Sequence, residues 1–247
     1  MTESRIIYGF HAVTSRLRQQ AAGVQEIYMD AGRNDARAQD LLKQADVHAV
    51  RVIAVDAIRL DGLTGGARHQ GVAARVEAPK MRHDLDEVLE GINGLALLLV
   101  LDGVQDPHNL GACLRVADAF GAHAVIAPKD RAVGITPVVS KVASGAAETV
   151  PYLAVTNLAR TLRTLKDHGI WIVGADETAT VDLYDARLTG PLAWVLGAEG
   201  EGMRRLTREN CDELVRVPMA GTVECLNVSV TSGVCLGETL RQRRVSA

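Results

Sequence analysis

Apolar and polar positions along this chain switch repeatedly between a helical and an extended period, and that switching sets the fold class. In residues 10–22 the apolar Ala12, Val13 and Leu17 share one helical face, and Gly23 closes the segment. Residues 24–29 read as a strand, 36–45 as a second helix and 47–55 as a second strand. A third strand, 71–76, follows the Gly65-Gly66 turn. From residue 95 the alternation resumes, with strands expected at 95–101, 122–127, 170–173, 193–196 and 214–217. Helices are expected at 110–120, 136–147 (Pro137 in its first turn), 158–167, 203–210 and 228–243. Such alternation predicts an α/β protein with a parallel sheet covered on both faces.

Between the two series lies a polar, proline-containing stretch, 78–83, then a short acidic helix at 84–90, then Gly91 and Gly94. This predicts a first domain at 1–77, a linker at 78–93 and a second domain at 94–247. Composition agrees with a buried core, because 47% of residues are apolar. Only 3% are aromatic, so Ala, Val, Leu and Ile must fill that core, as they do in buried parallel strands.

Net charge is −3, and neither half is basic: residues 1–93 carry 12 cations and 13 anions, residues 94–247 carry 15 and 17. Contact with a polyanion would therefore rest on local clusters. Arg16 with Arg18, and Arg241 with Arg243 and Arg244, are candidates, although each alone reads as a solvated helix end. The four cysteines form no CxxC pair or metal-ligand set, so no metal is expected. The longest apolar run, 95–101, falls well short of the roughly 20 residues a bilayer requires. With no apolar leader at the start, the expectation is a cytoplasmic protein without a membrane role and with reduced thiols.

Three polar loops stand out at strand ends. Gly197-Ala-Glu-Gly-Glu-Gly202 joins a strand to a helix, carries more glycines than a plain turn needs, and holds carboxylates that would repel a phosphate. Asp102-Gly-Val-Gln-Asp-Pro-His-Asn-Leu-Gly-Ala-Cys-Leu-Arg115 leads a buried strand into a helix. Here Asn109 can be an N-cap and Arg115 a surface residue. Val217-Pro-Met-Ala-Gly-Thr-Val-Glu-Cys-Leu-Asn227 leads a strand into a helix that Asn227 can cap. Each has a bland reading alone; together they converge on the carboxyl edge of one sheet, where open α/β folds place their sites.

In order, these segments read D-x-x-x-DPxNxGaxxR, LGxExxG and PMxGxxxxLNVSV. The combination resembles the SpoU (TrmH-like) family of SPOUT RNA 2′-O-ribose methyltransferases. Tyr8-Gly-Phe-His-Ala-Val13 and His69-Gln-Gly71 are similar to the substrate-binding domain of members acting on 23S rRNA. The resemblance covers the whole chain. It implies a small L30e-like α/β N-terminal domain that binds RNA and a C-terminal SPOUT domain with a deep trefoil knot. Ordinary connection rules alone would draw an unknotted doubly wound sheet. It implies S-adenosylmethionine resting on the Leu196, Gly197, Gly202, Val217, Met219 and Leu226 segments. It implies a homodimer through the catalytic domain, and as substrate a guanosine 2′-hydroxyl in the peptidyl-transferase region of 23S rRNA.

By the same resemblance Arg115 promotes loss of the hydroxyl proton, while Asn109, Glu199 and Asn227 orient it and the ribose. A free guanidinium stays protonated above about pH 12. Our reading is therefore that Arg115 chiefly binds the neighbouring phosphate and stabilises developing negative charge. Cys225 stands where the family usually has serine and is read as a supporting substitution, not a nucleophile; Thr231 stands where alanine is common. Two rivals are a transfer-RNA or antibiotic-resistance methyltransferase of the same family, and a ribosome-assembly RNA-binding factor without catalysis. The first motif pair favours ribosomal RNA, and the four intact polar residues favour catalysis.

Overall fold

A computed structural model describes residues 4–77, 84–198, 200–223 and 225–246, and the chain divides into two units, Met1–Lys80 and Met81–Ala247. In the first unit the elements are β1 (Ser4–Tyr8), α1 (Phe10–Gln20), β2 (Val24–Asp30), α2 (Ala36–Val47), β3 (Arg51–Val55), α3 (Ala57–Thr64) and β4 (Val72–Glu77). Its sheet runs β1-β4-β2-β3, with β4 antiparallel to β1 and β2, and β2 parallel to β3. Strand alternation sorts the core: Ile27 and Met29 meet Val13, Leu17 and Leu41 of α1 and α2, while Tyr28 meets Leu60 of α3 on the other face.

The second unit holds α4 (Leu85–Glu90), β5 (Leu97–Asp102), α5 (Pro107–Ala119), β6 (Ala124–Pro128), α6 (Pro137–Ala143), β7 (Tyr152–Val155) and α7 (Leu158–Asp167). It continues with β8 (Trp171–Ala175), β9 (Val181–Asp182), β10 (Leu192–Gly197), α8 (Arg205–Glu209), β11 (Glu213–Arg216) and α9 (Val228–Val245). Seven strands, all parallel, run in the order β7-β6-β5-β10-β8-β11-β9. On β5, Leu97, Leu99 and Leu101 face a core shared with α5, α6 and α9, and Leu98 and Val100 face one shared with α4 and α7. Both faces are therefore covered, which is why this strand is an uninterrupted aliphatic run.

Helix α9 is fixed along its length. Buried Trp194 of β10 donates its Nε1–H to Thr239 at 2.9 Å. At the far end the Arg243 guanidinium donates to the carbonyls of Leu95, Ala96 and Gly190. Most of the cluster cations read from the sequence make contacts within the chain: Arg241 pairs with Glu238, Arg18 with Asp40, and Arg16 donates to the Glu77 carbonyl, while Arg244 is exposed.

Residues 78–83 of the expected linker lie outside the described residues. Its remainder includes α4, whose Val88 is buried in the second unit's core. Among the described residues no helix is long and apolar enough to cross a membrane, and no group of three or more His, Cys, Asp or Glu is placed to hold a metal.

Candidate active site

Strand β5 ends in Asp102, whose side chain is fully buried and bonded to Arg204, 102 residues later. Arg204 Nε donates to Oδ1 at 2.6 Å and its backbone N–H to Oδ2 at 2.9 Å. A carboxylate at the end of one strand therefore anchors the chain just after the glycine-rich loop of another. Four residues on, Asp106 caps α5 by accepting from the His108 N–H at 2.9 Å. This corrects the expectation that Asn109 is the cap: Pro107 suits the first helical position, so the helix begins earlier.

Asn109 sits instead in the first turn, where its Oδ1 accepts from Nδ2 of Asn227 at 2.9 Å. Asn227 caps α9, accepting from the Ser229 N–H at 2.9 Å and the Ser229 hydroxyl at 2.6 Å. The first and third loops meet at this asparagine pair, across 118 residues of sequence.

The middle loop closes on itself. Ala198 and Gly202 exchange backbone hydrogen bonds, N–H to carbonyl, at 3.2 and 2.9 Å. A Cβ at Gly197 would lie 2.1 Å from the Gly202 carbonyl carbon and 2.3 Å from the Met203 nitrogen, so no larger residue fits. Gly202 itself has φ +65°, open to glycine without strain.

Around this loop lies a cleft of about 410 Å³, inside the range of small-molecule sites. All six residues expected to contact a cofactor, Leu196, Gly197, Gly202, Val217, Met219 and Leu226, line it. Sequence reasoning missed its opposite wall, Asp176, Glu177 and Thr178 after β8. Asp176 Oδ1 accepts from the Thr178 N–H and hydroxyl, at 2.9 and 2.6 Å. Arg208 of α8 then binds both, its Nε 3.3 Å from Asp176 and its Nη2 donating to Thr178 at 2.8 Å. The available signal was topological: β8 and β10 are parallel neighbours, so their carboxyl-end loops face each other.

Glu199 lies outside the described residues. Arg115 is exposed on α5 and, among the described residues, makes no ion pair with Asn109's neighbours; six residues beyond Asn109, it is rotated by roughly 240° around the helix. Cys225 is exposed at the cleft, whereas Cys113 and Cys235 are buried and burial pushes the Cys113 thiol up to about 12. Thr231 also lines the cleft and donates back to the Asn227 carbonyl at 3.2 Å.

In the first unit the two motif segments are adjacent. Gly9 donates its N–H to the Val72 carbonyl at 3.0 Å, and Arg33 stacks over Phe10 at 4.7 Å while donating to the Gln70 carbonyl. His11, Thr14, Arg37 and Gln70 line a second cavity there.

Comparison with known proteins accords with this geometry. Residues 96–237 match the SpoU rRNA Methylase family, and residues 6–82 match the RNA 2′-O ribose methyltransferase substrate binding family. The chain is 64% identical to the 23S rRNA (guanosine-2′-O-)-methyltransferase RlmB of Ralstonia nicotianae, over 99% of this chain and 98% of that one. It is 60% identical to the RlmB of Nitrosomonas europaea, over 98% and 93%. Among solved structures, the SpoU methyltransferase AviRb from Streptomyces viridochromogenes in complex with AdoMet superposes with a TM-score of 0.69. That match has 26% identity and covers 99% of this chain and 91% of AviRb.

Proposed function

The chain belongs to the SpoU rRNA methylase family, and from that membership we propose that it methylates the 2′-oxygen of a guanosine ribose in 23S rRNA, using S-adenosylmethionine. The observation that carries the reading is the convergence of the 175–178, 197–202 and 217–228 segments on one cleft, with the 102–115 loop joined to the last of them by the Asn109–Asn227 bond, in a chain 64% identical to an RlmB over nearly its full length. The peptidyl-transferase region is the target we assign. Action on ribosomal RNA fits a cytoplasmic location.

The residues suit the cofactor. Leu196, Val217, Leu226 and Val228 give the cleft an apolar floor, and Asp176, Glu177 and Glu201 place carboxylates at its rim, which favours a cationic ligand. When bound, S-adenosylmethionine supplies an electrophilic methyl group on a sulfonium. The chain's own residues supply position and charge. Backbone groups of the 197–202 loop hold the cofactor's polar edges. The Asn109–Asn227 pair, with Glu199, orients the ribose hydroxyl. Arg115 clamps the adjacent phosphate and stabilises negative charge as the hydroxyl proton passes to water, while the oxygen would take the methyl group and the sulfonium S–C bond would break to leave a neutral thioether. Lysine at position 115 would keep the charge but lose the planar fork. Full activity in Arg115→Lys, with an unshifted pH–rate profile, would remove the fork from the mechanism.

Three further parts of this reading follow the family. The first unit binds RNA, supported by the match over residues 6–82. The C-terminal chain is threaded as a trefoil knot, supported by the family match over residues 96–237. The protein is a homodimer through the catalytic unit, to which exposed Ile135, Val138 and Val230 offer apolar surface. Sedimentation as a monomer at micromolar concentration would overturn that last part.

The test of the reaction is transfer of labelled methyl from S-adenosylmethionine to a 23S rRNA transcript, mapped to a guanosine 2′-oxygen. Methylation of transfer RNA instead would favour the first rival. Binding without transfer to any RNA would leave only an assembly role.

A further inference from the structure

The loop at 129–136 leaves the carboxyl end of β6, on the same sheet edge as the cleft, and is held rigidly at its base. Lys129 donates its N–H to the Val155 carbonyl at 2.7 Å, Val133 donates to the Val104 carbonyl at 3.0 Å, and the Val133 carbonyl accepts from the Tyr152 hydroxyl at 2.7 Å. The loop sits close to the start of the glycine-rich loop. The Arg131 carbonyl oxygen is 4.0 Å from where a Cβ on Gly103 would lie, and that same point is 3.6 Å from the Cβ of Ala198 in the glycine-rich loop.

Arg131 has φ +63°, in the left-handed region. Of the other non-glycine residues in that conformation, Ala49 and Ser144 close α2 and α6, where a left-handed residue is the ordinary helix stop, and Gln70 lies in the turn that enters β4. Arg131 follows a strand. A glycine would sit there without strain, so what the position gains from arginine is the side chain.

Charge gives the second argument. Among the described residues neither Lys129 nor Arg131, both exposed, enters an ion pair or a side-chain hydrogen bond. Beside the cleft, Arg204 and Arg208 by contrast pair with carboxylates, while Arg115, among the described residues, is exposed without an ion pair like the two loop cations. Asp130 between them is likewise exposed and unpaired among the described residues, leaving the loop tip with one net positive charge. Two unengaged cations on a rigid loop, beside a cleft whose own rim is acidic, suit the backbone of a nucleic acid and not the cofactor.

We propose that Lys129 and Arg131 bind backbone phosphates flanking the nucleotide that is methylated, fixing the register of the RNA strand at the cleft. This deepens the functional reading above and rests on it. Phosphate contacts position without reading sequence, so the pair sets affinity and register, not base identity.

The discriminating variant is Arg131→Gly, because it removes the charge while relieving the backbone. Its melting temperature should equal or exceed that of wild type, and its Kd for S-adenosylmethionine should be unchanged. Its Kd for a transcript of the peptidyl-transferase region should rise about 5-fold at roughly 0.15 M salt, and about 10-fold or more with Lys129→Ala added. The slope of log affinity against log salt should become shallower by about 0.7 per lost contact on single-stranded RNA. Unchanged RNA affinity in Arg131→Gly, beside a methylating wild type, overturns this proposal alone. A lowered melting temperature also overturns it, since the side chain would then be structural. A wild-type chain that neither binds nor methylates the transcript overturns the functional reading and this one together.

Discussion

Replacing Arg204 by methionine tests whether the carboxylate at the end of β5 fastens the glycine-rich loop. The Asp102 side chain is 0% exposed and that of Arg204 is 43% exposed, so the pair is desolvated on one side only. The substitution removes two contacts to Oδ1, from Nε at 2.6 Å and from Nη2 at 2.5 Å, and spares the backbone N–H at 2.9 Å. Hydrogen bonds to a charged partner contribute about 1.5–3 kcal/mol each. Water reaches the outer half of this guanidinium, which screens it, so the combined loss is about 2–3 kcal/mol, below the ~3–5 kcal/mol of a fully buried pair. At about 2–4 °C per kcal/mol for a chain of this size, the melting temperature of the cofactor-free protein should fall by about 5–10 °C. Calorimetric titration should show weaker S-adenosylmethionine binding as well, because the loop that Arg204 anchors is one wall of the cleft. Arg204→Lys should fall between the two. Adding Asp102→Asn to Arg204→Met should recover part of the loss, since the buried charge is then gone. A fall below about 1 °C with unchanged cofactor affinity would refute the anchoring role.

The opposite wall gives a second expectation: Arg208→Met severs the contacts to Asp176 and Thr178 and should raise the KM for S-adenosylmethionine about 5–10-fold, a loss of roughly 1–1.4 kcal/mol. The KM for RNA and kcat at saturating cofactor should hold, and a change confined to RNA would contradict the assignment. Iodoacetamide at pH 8 should label exposed Cys225 first, since burial pushes the Cys113 and Cys211 thiols up to about 12, and S-adenosylmethionine should slow that labelling. Cys225→Ser should retain methyl transfer; its loss would contradict a supporting role. Finally, hydrogen bonding from Arg241 holds the Glu238 carboxyl below its ordinary value of 4.5. The folded state then binds this proton less readily than the unfolded one, so its contribution is complete above that value and is lost as pH falls through the depressed one. Glu238→Gln should flatten the acid limb of melting temperature between about pH 5 and 3, and an equally steep limb would exclude Glu238 as its source.

What the sequence made legible follows from how strongly each element is buried. The strands at the centre of the second sheet are aliphatic runs because helices cover both faces, so β5, β6, β8 and β10 were all anticipated. Shorter or edge elements carried less signal. Strand β1 is five residues at a sheet edge, β7 four, and β9 two; all three were missed, as was α3, which contains Gly62. The strand expected at 47–55 starts only at Arg51, because α2 runs on through Val47, a β-branched residue that is 79% exposed. Local propensity suggested a strand there, and the continuing helix prevailed.

At the site, the ordered trio of loops was readable because their residue types are informative in combination, and strand-edge logic said they would converge. Their pairings were not readable. Asp102 with Arg204 and Asn109 with Asn227 are contacts more than 100 residues apart, and no local pattern distinguishes an asparagine that caps its own helix from one that bonds another. The wall at Asp176–Thr178 was hidden for a related reason. Read along the chain, Asp-Glu-Thr after a strand is a turn. It becomes part of a cleft only because β10 inserts between β5 and β8, setting the glycine-rich loop directly beside it. Strand order, and not residue type, decides which turns become walls, and strand order is a property of the whole sheet.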